Sequence, residues 1–376
     1  MAKKVKMVFV TQNTAPFRMQ WLDELAGFID ITVYHLGEYD STMNSKYISY
    51  VPRNIKIKEE FRSIGKHRFF KPKKIIAEKA DIILLDGYGF IGQIAMIAYL
   101  RLHNIAFYMS LDGGFIPTEE SSFKKAIKRF CLNGANGFFS TAEMTDNFIK
   151  HYLKKPKPIY RHFFSSLYSS DICRVDKARK AKYKQKLGLE NKFTVISVGR
   201  FIPVKGFDIL LKAAAKAEDG ICFVFVGGKP TEEYNRLVSD INPESIRFVD
   251  FLNKESLKEY YCAADVFAIP SRGDVWGLVV GEAMAYGLPI LSSCNCIAAV
   301  SMVKNGENGF IINDEDPESY LSKIAELKTN PELIKTISEN NYLLIRKYAM
   351  DISVINDIKN IASILNVKIT EDGFDE

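Results

Sequence analysis

Short apolar runs recur along this chain, each followed by a turn and then by an amphipathic helical pattern. VKMVFVT (5–11), ADIILLDG (80–87), FTVISVGR (193–200), ICFVFVGG (221–228) and VFAIPS (266–271) are the clearest. Each is too short for a helix and rich in β-branched or aromatic residues. Near-continuous apolar runs of that length predict strands buried on both faces, as in parallel sheets. The opening, VKMVFVT, then PFRMQWLDELAGF, then IDITVYHL, reads as strand, helix and strand, the start of a doubly wound α/β sheet. IGQIAMIAYLRLHN continues as a helix and IAFYMSLDGG as a strand. SFKKAIKRFCLNGA is a helix with a basic face, NGFFSTAEM a strand and turn, and TDNFIKHYL a helix that Thr145 is expected to cap.

A basic, glycine-poor stretch follows, and KLGLENK (186–192) reads as a joint, because the pattern restarts at Phe193. FDILLKAAAKA, ESLKEYYCAAD and GLVVGEAMAYG are helices of the second cycle, and LPILSS is a strand. PESYLSKIAELKT, PELIKTISENNYLLIRKY and DISVINDIKNIASIL predict three further helices, the last returning to the first domain. At 376 residues the chain exceeds one ordinary core. The expected fold is α/β, two Rossmann-like domains facing a central cleft. Residues 1–188 form the first, 189–348 the second, and 349–376 the returning helix.

Hydrophobic residues make up 47% and charged residues 26%, which excludes bulk disorder. The basic start Met1–Lys6 is followed by too short an apolar run for a secretory leader. The most apolar long window, Ile82–Leu100, contains Asp86, Gly87, Gly89, Gly92 and Gln93, so it reads as strand, turn and helix, not as a membrane span. The six cysteines show no CxxC or Cys/His ligand spacing, and Cys294 and Cys296 would share one face of a strand. Residues 1–190 hold 32 Lys and Arg against 18 Asp and Glu, and the remainder 19 against 27. That contrast points to an anionic partner of the first half, phospholipid, lipid-linked phosphate or nucleic acid, or to two differently charged solvated surfaces.

The polar clusters follow strand ends, where open α/β sheets bind ligands. After FTVISV come Gly199, Arg200, Lys205 and then Gly206. Two cations in a loop entering a helix suit a diphosphate. Gly227 ends ICFVFV and permits close backbone approach. Phe251 and Leu252 follow IRFVDF, where backbone groups could meet a base, although core packing is the plainer role. In DVWGLVVGEAMAYG, Trp276 and Gly277 lead into a helix whose first amides, at Leu278 and Val279, would face a pyrophosphate. Eight positions at a helical rise of about 1.5 Å each set Asp274 and Glu282 roughly 12 Å apart. Glu282 would take ribose hydroxyls and Asp274 those of the transferred sugar.

These residues carry a resemblance. PSRGDVWGLVVGEAMAYGLP, VGRFIPVKG, ADVFAIP and NGENGFII, together spanning about Val195–Ile312, resemble motifs of retaining GT-B glycosyltransferases of family 4 (glycosyl transferases group 1), of the polysaccharide-assembly type. The resemblance implies that Arg200 and Lys205 hold the diphosphate, Asp274 the donor sugar and Glu282 the ribose, with the C-terminal helix packing back on the first domain. It also implies front-face displacement with retention. No metal motif of the DxD kind stands at the strand ends, so neither metal nor cofactor is expected; the nucleotide sugar is a substrate. Asp274 stands where the family usually has Glu. The first half matches less well: TQNTAPFR lacks the usual glycine loop but is similar to the start of some polysaccharide-assembly members, which makes Pro16, Phe17 and Arg18 acceptor candidates. Asp112 with Gly113, in SLDGGF, and Asp86, in LLDGYG, complete the first-domain set, with Asp112 as the candidate for contacting the transferred sugar or acceptor and, with Arg200, Lys205 and Asp274, for catalysis. His162 in YRHFF is read as structural.

The expected activity is transfer of a hexose, from UDP-sugar in preference to GDP-sugar, to a glycan or lipid-linked saccharide in cell-surface polysaccharide synthesis. A cytoplasmic protein with peripheral contact at the inner membrane face fits the helix that carries Phe123, Lys124, Lys125, Ile127, Lys128, Arg129 and Phe130. A sugar-nucleotide epimerase on the same fold is the alternative. Nucleic-acid binding is disfavoured, because the aromatics near the basic runs form no known readout module.

Overall fold

A computed structural model describes residues 4–37, 50–239, 241–313, 315–370 and 373–375; the first three residues of the basic start lie outside these. The chain forms two compact units, 1–166 with 350–376, and 167–349.

In the first unit the elements run β1 (Lys6–Thr11), α1 (Pro16–Leu25), β2 (Asp30–His35), β3 (Lys56–Lys58), β4 (Phe61–Ile64), β5 (His67–Phe70), α2 (Pro72–Ile76) and β6 (Ile82–Asp86). They continue as α3 (Ile91–Leu102), β7 (Tyr108–Leu111), α4 (Ser122–Gly134), β8 (Gly137–Ser140), α5 (Glu143–Tyr152) and β9 (Ile159–Arg161). A parallel sheet has the order β3-β2-β1-β6-β7-β8-β9, and β4 and β5 pair as a separate antiparallel hairpin. The strand interiors are buried on both faces, as continuous apolar runs require.

The second unit runs α6 (Lys177–Leu187), β10 (Phe193–Val198), α7 (Phe207–Ala214), β11 (Ile221–Val226), α8 (Glu232–Leu237), β12 (Ile246–Val249), α9 (Lys254–Ala263) and β13 (Val266–Ile269). It ends with α10 (Leu278–Ala285), β14 (Ile290–Ser293), α11 (Ile297–Met302), β15 (Gly309–Ile312), α12 (Pro317–Thr329) and α13 (Pro331–Ile345). Its parallel sheet has the order β12-β11-β10-β13-β14-β15. The chain then supplies α14 (Met350–Leu365) to the first unit, followed by the antiparallel pair β16 (Lys368–Thr370) and β17 (Gly373–Asp375). Both large sheets are doubly wound. Strand order reverses between β1 and β6 in one and between β10 and β13 in the other.

Four expectations need correction. The first joint falls after Ser166, not at 188. The helix α6 between them, KARKAKYKQKL, has no buried residue and so shows no apolar stripe. Charge holds it instead: Lys180 and Lys184 reach Asp265 at 2.9 and 2.6 Å, and Asp265 also accepts from the Thr194 amide at 2.8 Å. Moving the joint also shrinks the charge contrast and leaves the excess of cations on the first unit. The first unit holds 27 Lys and Arg against 21 Asp and Glu, and the second 24 against 24. Thr145 does not cap α5, which begins two residues earlier; Thr145 is buried, its hydroxyl 3.3 Å from that of Thr141. Cys294 and Cys296 lie past the end of β14, with Cys296 opening α11, so they share no strand face.

The returning helix is fixed by a buried polar cluster. Asp357 accepts from the Trp21 indole at 2.8 Å and lies 2.9 Å from His162 Nδ1. Asn356 and Asn360 donate to the Arg161 carbonyl at 2.6 and 2.8 Å. His162 is thus a structural histidine on the α14 anchor. Asp357→Leu would leave both ring nitrogens unpaired in the core, and the expected cost is about 3 kcal/mol by urea unfolding, with under about 1 kcal/mol contradicting the anchor. Asp265 makes a second prediction. Lys180, Lys184 and the Thr194 amide outweigh its burial and hold its pKa below the ordinary 3.8. A depressed pKa gives stability that is present above 3.8 and lost as pH falls through the lower folded value. Asp265→Asn should therefore lower stability at pH 7 and flatten the acid limb of a pH–stability curve; an unchanged limb would contradict it.

Candidate nucleotide-sugar and acceptor sites

In the second unit the strand ends at the β10/β13 reversal carry the loop Gly199–Gly206 and the loop Ser271–Gly277. Backbone and side-chain bonds staple the two together. Arg272 N and Ser271 Oγ both donate to the Val204 carbonyl, at 2.8 and 2.9 Å. The Arg272 guanidinium donates to Pro203 O at 2.9 Å, grips both Asp208 oxygens at 2.8 Å, and reaches Glu315 at 2.8 Å. Hydrogen bonding to Asp208 raises the Arg272 pKa. Lys205 is delivered by this staple to Asp274, Nζ to Oδ2 at 2.5 Å, with both side chains mostly buried. Gly206 must be glycine here: its φ is +66° and a Cβ would sit 2.0 Å from Pro270 O.

Asp274 is not part of the helix. Its amide bonds Asn295 O at 2.8 Å and it bridges to Cys296, while α10 starts only at Leu278. Half of the eight steps to Glu282 are therefore non-helical, and the 12 Å helical spacing expected from the sequence does not hold. Gly277 caps α10 with φ +92°, and a Cβ there would meet Cys296 Sγ at 2.7 Å. The glycine thus makes room for α11 as well as opening the helix. Trp276 is 5% exposed and packs inside the unit. Leu278 and Val279 are half-buried at the first turn of α10, as are Phe251 and Leu252 in the loop after β12. Gly227, with φ +133°, sits where a Cβ would be 2.3 Å from Gly199 O, so the close approach it permits is between the ends of β10 and β11. Arg200 is half-buried in the loop just after β10. Glu282 accepts from Tyr261 Oη at 3.2 Å, and Tyr261 stacks on Tyr286 at 5.3 Å. Sequence reasoning missed Tyr261, Arg272 and Asp208, because their partners lie 21 and 64 residues away and no local spacing encodes them.

In the first unit the β1/β6 reversal brings together residues that the sequence marked separately. Pro16 starts α1 and Phe17 follows it, half-buried. Arg18, 3% exposed, donates from Nη2 to Asp112 Oδ2 at 2.5 Å and sets Nε 3.3 Å from Asp86 Oδ2. The guanidinium also lies against the rings of Phe9, Phe17 and Phe164, 5.2–5.8 Å from their centroids. Thr11, at the end of β1, donates to Asp86 Oδ2 at 2.8 Å, and Thr141 donates to the Asp112 carbonyl at 2.6 Å. Burial and the Asp112 charge push the Asp86 pKa up against the pull of Arg18. Gly113 follows Asp112 in the loop after β7. Asp112, Asp86 and Arg18 therefore form one cluster.

Known proteins agree with this architecture. Residues 179–344 match the family model of glycosyl transferases group 1. The second unit thus carries a group 1 glycosyltransferase domain. Over 185 residues the chain is 35% identical to an uncharacterized glycosyltransferase of Haemophilus influenzae, covering 47% of this chain and 51% of the relative. It is 29% identical over 205 residues to D-inositol 3-phosphate glycosyltransferase of Rhodococcus jostii, covering 51% and 44%. The chain spans about half the length of the curated relatives it matches. In fold it is similar to HepE of Anabaena, solved with UDP, at TM-score 0.75 and 17% identity, covering 96% of this chain and 100% of that one. Sucrose-phosphate synthase of Thermosynechococcus elongatus gives TM-score 0.76 at 16% identity, covering 96% and 100%. The fold is GT-B.

Gly206→Ala supplies a check on the stapled loop. The strained φ and the Pro270 clash should cost about 2 kcal/mol or more in urea unfolding, since the carbonyl is backbone and cannot swing away. Wild-type stability in that variant would contradict the geometry.

Proposed function

We propose that this protein is a retaining glycosyltransferase that moves a hexose from a nucleotide diphosphate sugar, UDP-linked in preference to GDP-linked, to a saccharide or lipid-linked saccharide in cell-surface polysaccharide synthesis. The observation that carries this is the Lys205–Asp274 pair, fixed at the reversal of the second sheet next to the N-terminus of α10. An ammonium has three donors, and one is used by Asp274. The others suit phosphate oxygens, and Arg200 in the same loop adds a second cation. With the amides of Leu278 and Val279, these groups would stabilise charge that grows on the leaving diphosphate, an interaction strongest in the transition state. Asp274 would orient hydroxyls of the donor hexose, and Glu282, steadied by Tyr261, the ribose. HepE of Anabaena was also solved with UDP-glucose, which supports a UDP-sugar here. The two cations take the place of a metal, so EDTA should leave turnover unchanged.

The acceptor is assigned to the first unit, at Arg18, Asp86 and Asp112. A lipid-linked acceptor and peripheral membrane contact are supported by α4, where Phe123 is 75% and Phe130 40% exposed beside exposed Lys124 and Arg129. Lys128 is not part of that face, being paired with Glu120 at 2.5 Å. Among the described residues no helix is long and apolar enough to cross a membrane. The epimerase alternative finds no support among the relatives above.

Thermal unfolding with UDP tests the donor assignment. Ligand at about 100 times its Kd should add roughly 2.7 kcal/mol, which Glu282→Ala should abolish and Arg200→Ala weaken. No shift with UDP, GDP or ADP would overturn it.

A further inference from the structure

The cluster at the β1/β6 reversal has a polarity that limits what it can receive. Arg18, Asp86 and Asp112 sum to one negative charge. The cation is submerged: the Arg18 side chain is 4% exposed, against 16% for Asp86 and 22% for Asp112. A ligand arriving here therefore meets carboxylate, with the guanidinium beneath it. The two carboxylates are not equivalent. Asp112 gives Oδ2 to Arg18, and its Oδ1 is buried with no hydrogen-bond partner among the described residues. Asp86 uses Oδ2 for both Thr11 and Arg18, which leaves Oδ1 for an incoming group. An ionised carboxylate only accepts hydrogen bonds. It welcomes a hydroxyl and repels a second anion, more strongly so where water is scarce. The half-buried Phe17 ring, 5.7 Å from the guanidinium carbon, adds apolar surface for the C–H face of a sugar.

We propose that this cluster takes an uncharged, hydroxyl-bearing sugar of the acceptor, with Asp86 as its contact and with Arg18, Thr11 and Asp112 as positioning residues. The proposal rests on the acceptor being held by the first unit, as argued above. It moves the contact role from Asp112 to Asp86. It also sets this site against acceptors whose reacting sugar carries a phosphate or carboxylate.

The test compares methyl glycosides of glucose, galactose and mannose with the corresponding uronides, by saturation-transfer NMR on full-length protein saturated with UDP. At least one neutral glycoside should bind about tenfold or more tighter than its uronide. Asp86→Asn should narrow that ratio to about threefold or less, and Asp86→Glu, which keeps the charge, should preserve it. The UDP-induced thermal shift, measured on each variant, reports that the chain is folded. Equal or tighter binding of uronides, an unchanged ratio in Asp86→Asn, or binding of neither class while UDP still shifts the melting point would overturn the proposal and leave the donor assignment standing. Discrimination between glycosides without any UDP effect would support the proposal and remove the donor assignment.

Discussion

A guanidinium buried between two carboxylates organises the first unit. Arg18 enters from the first turn of α1, and Asp86 and Asp112 come from the ends of β6 and β7. None of the three would tolerate burial alone, because an unpaired charge out of water costs several kcal/mol. Pairing requires that the strand ends and the helix start stand in one fixed arrangement. Thr11 and Thr141 complete that arrangement by binding Asp86 and the Asp112 backbone. The sheet reversal supplies the place, and the charges fix the groups within it.

The second unit solves a similar problem with a lysine. Lys205 and Asp274 meet 69 residues apart in sequence because the Arg272 staple ties one strand-end loop to the other. The pair is smaller than the Arg18 cluster, and its cation is the less buried of the two, with the Lys205 side chain 19% exposed against 4% for Arg18. That difference suits the two assigned tasks. A donor diphosphate needs available cations, whereas an acceptor hydroxyl needs an available carboxylate.

Much of this could be read from the chain alone. Continuous apolar runs gave the strands of both sheets, because burial on both faces leaves no other composition open to them. The strand-end residues Arg200, Lys205, Asp274, Asp86 and Asp112 were marked by placing charge at sheet termini. What stayed hidden depended on contacts distant in sequence. Tyr261 looks like an ordinary helix aromatic until Glu282 is seen beside it. α6 has no apolar stripe, so its membership of the second unit rests on Asp265, about 80 residues on. The spacing between Asp274 and Glu282 misled for a local reason: Gly277, at positive φ, caps the helix, which begins at Leu278, four residues after Asp274.

The central claim is that the second unit activates a UDP-sugar and that the anomeric configuration is kept. Time-resolved proton NMR of UDP-glucose turnover tests it most directly. The account predicts that α-configured product accumulates first, with β-glucose arising only by later mutarotation of any hydrolysed sugar. Initial formation of the β-anomer, or release of UDP from neither UDP-glucose nor other UDP-hexoses with or without added glycan, would contradict it.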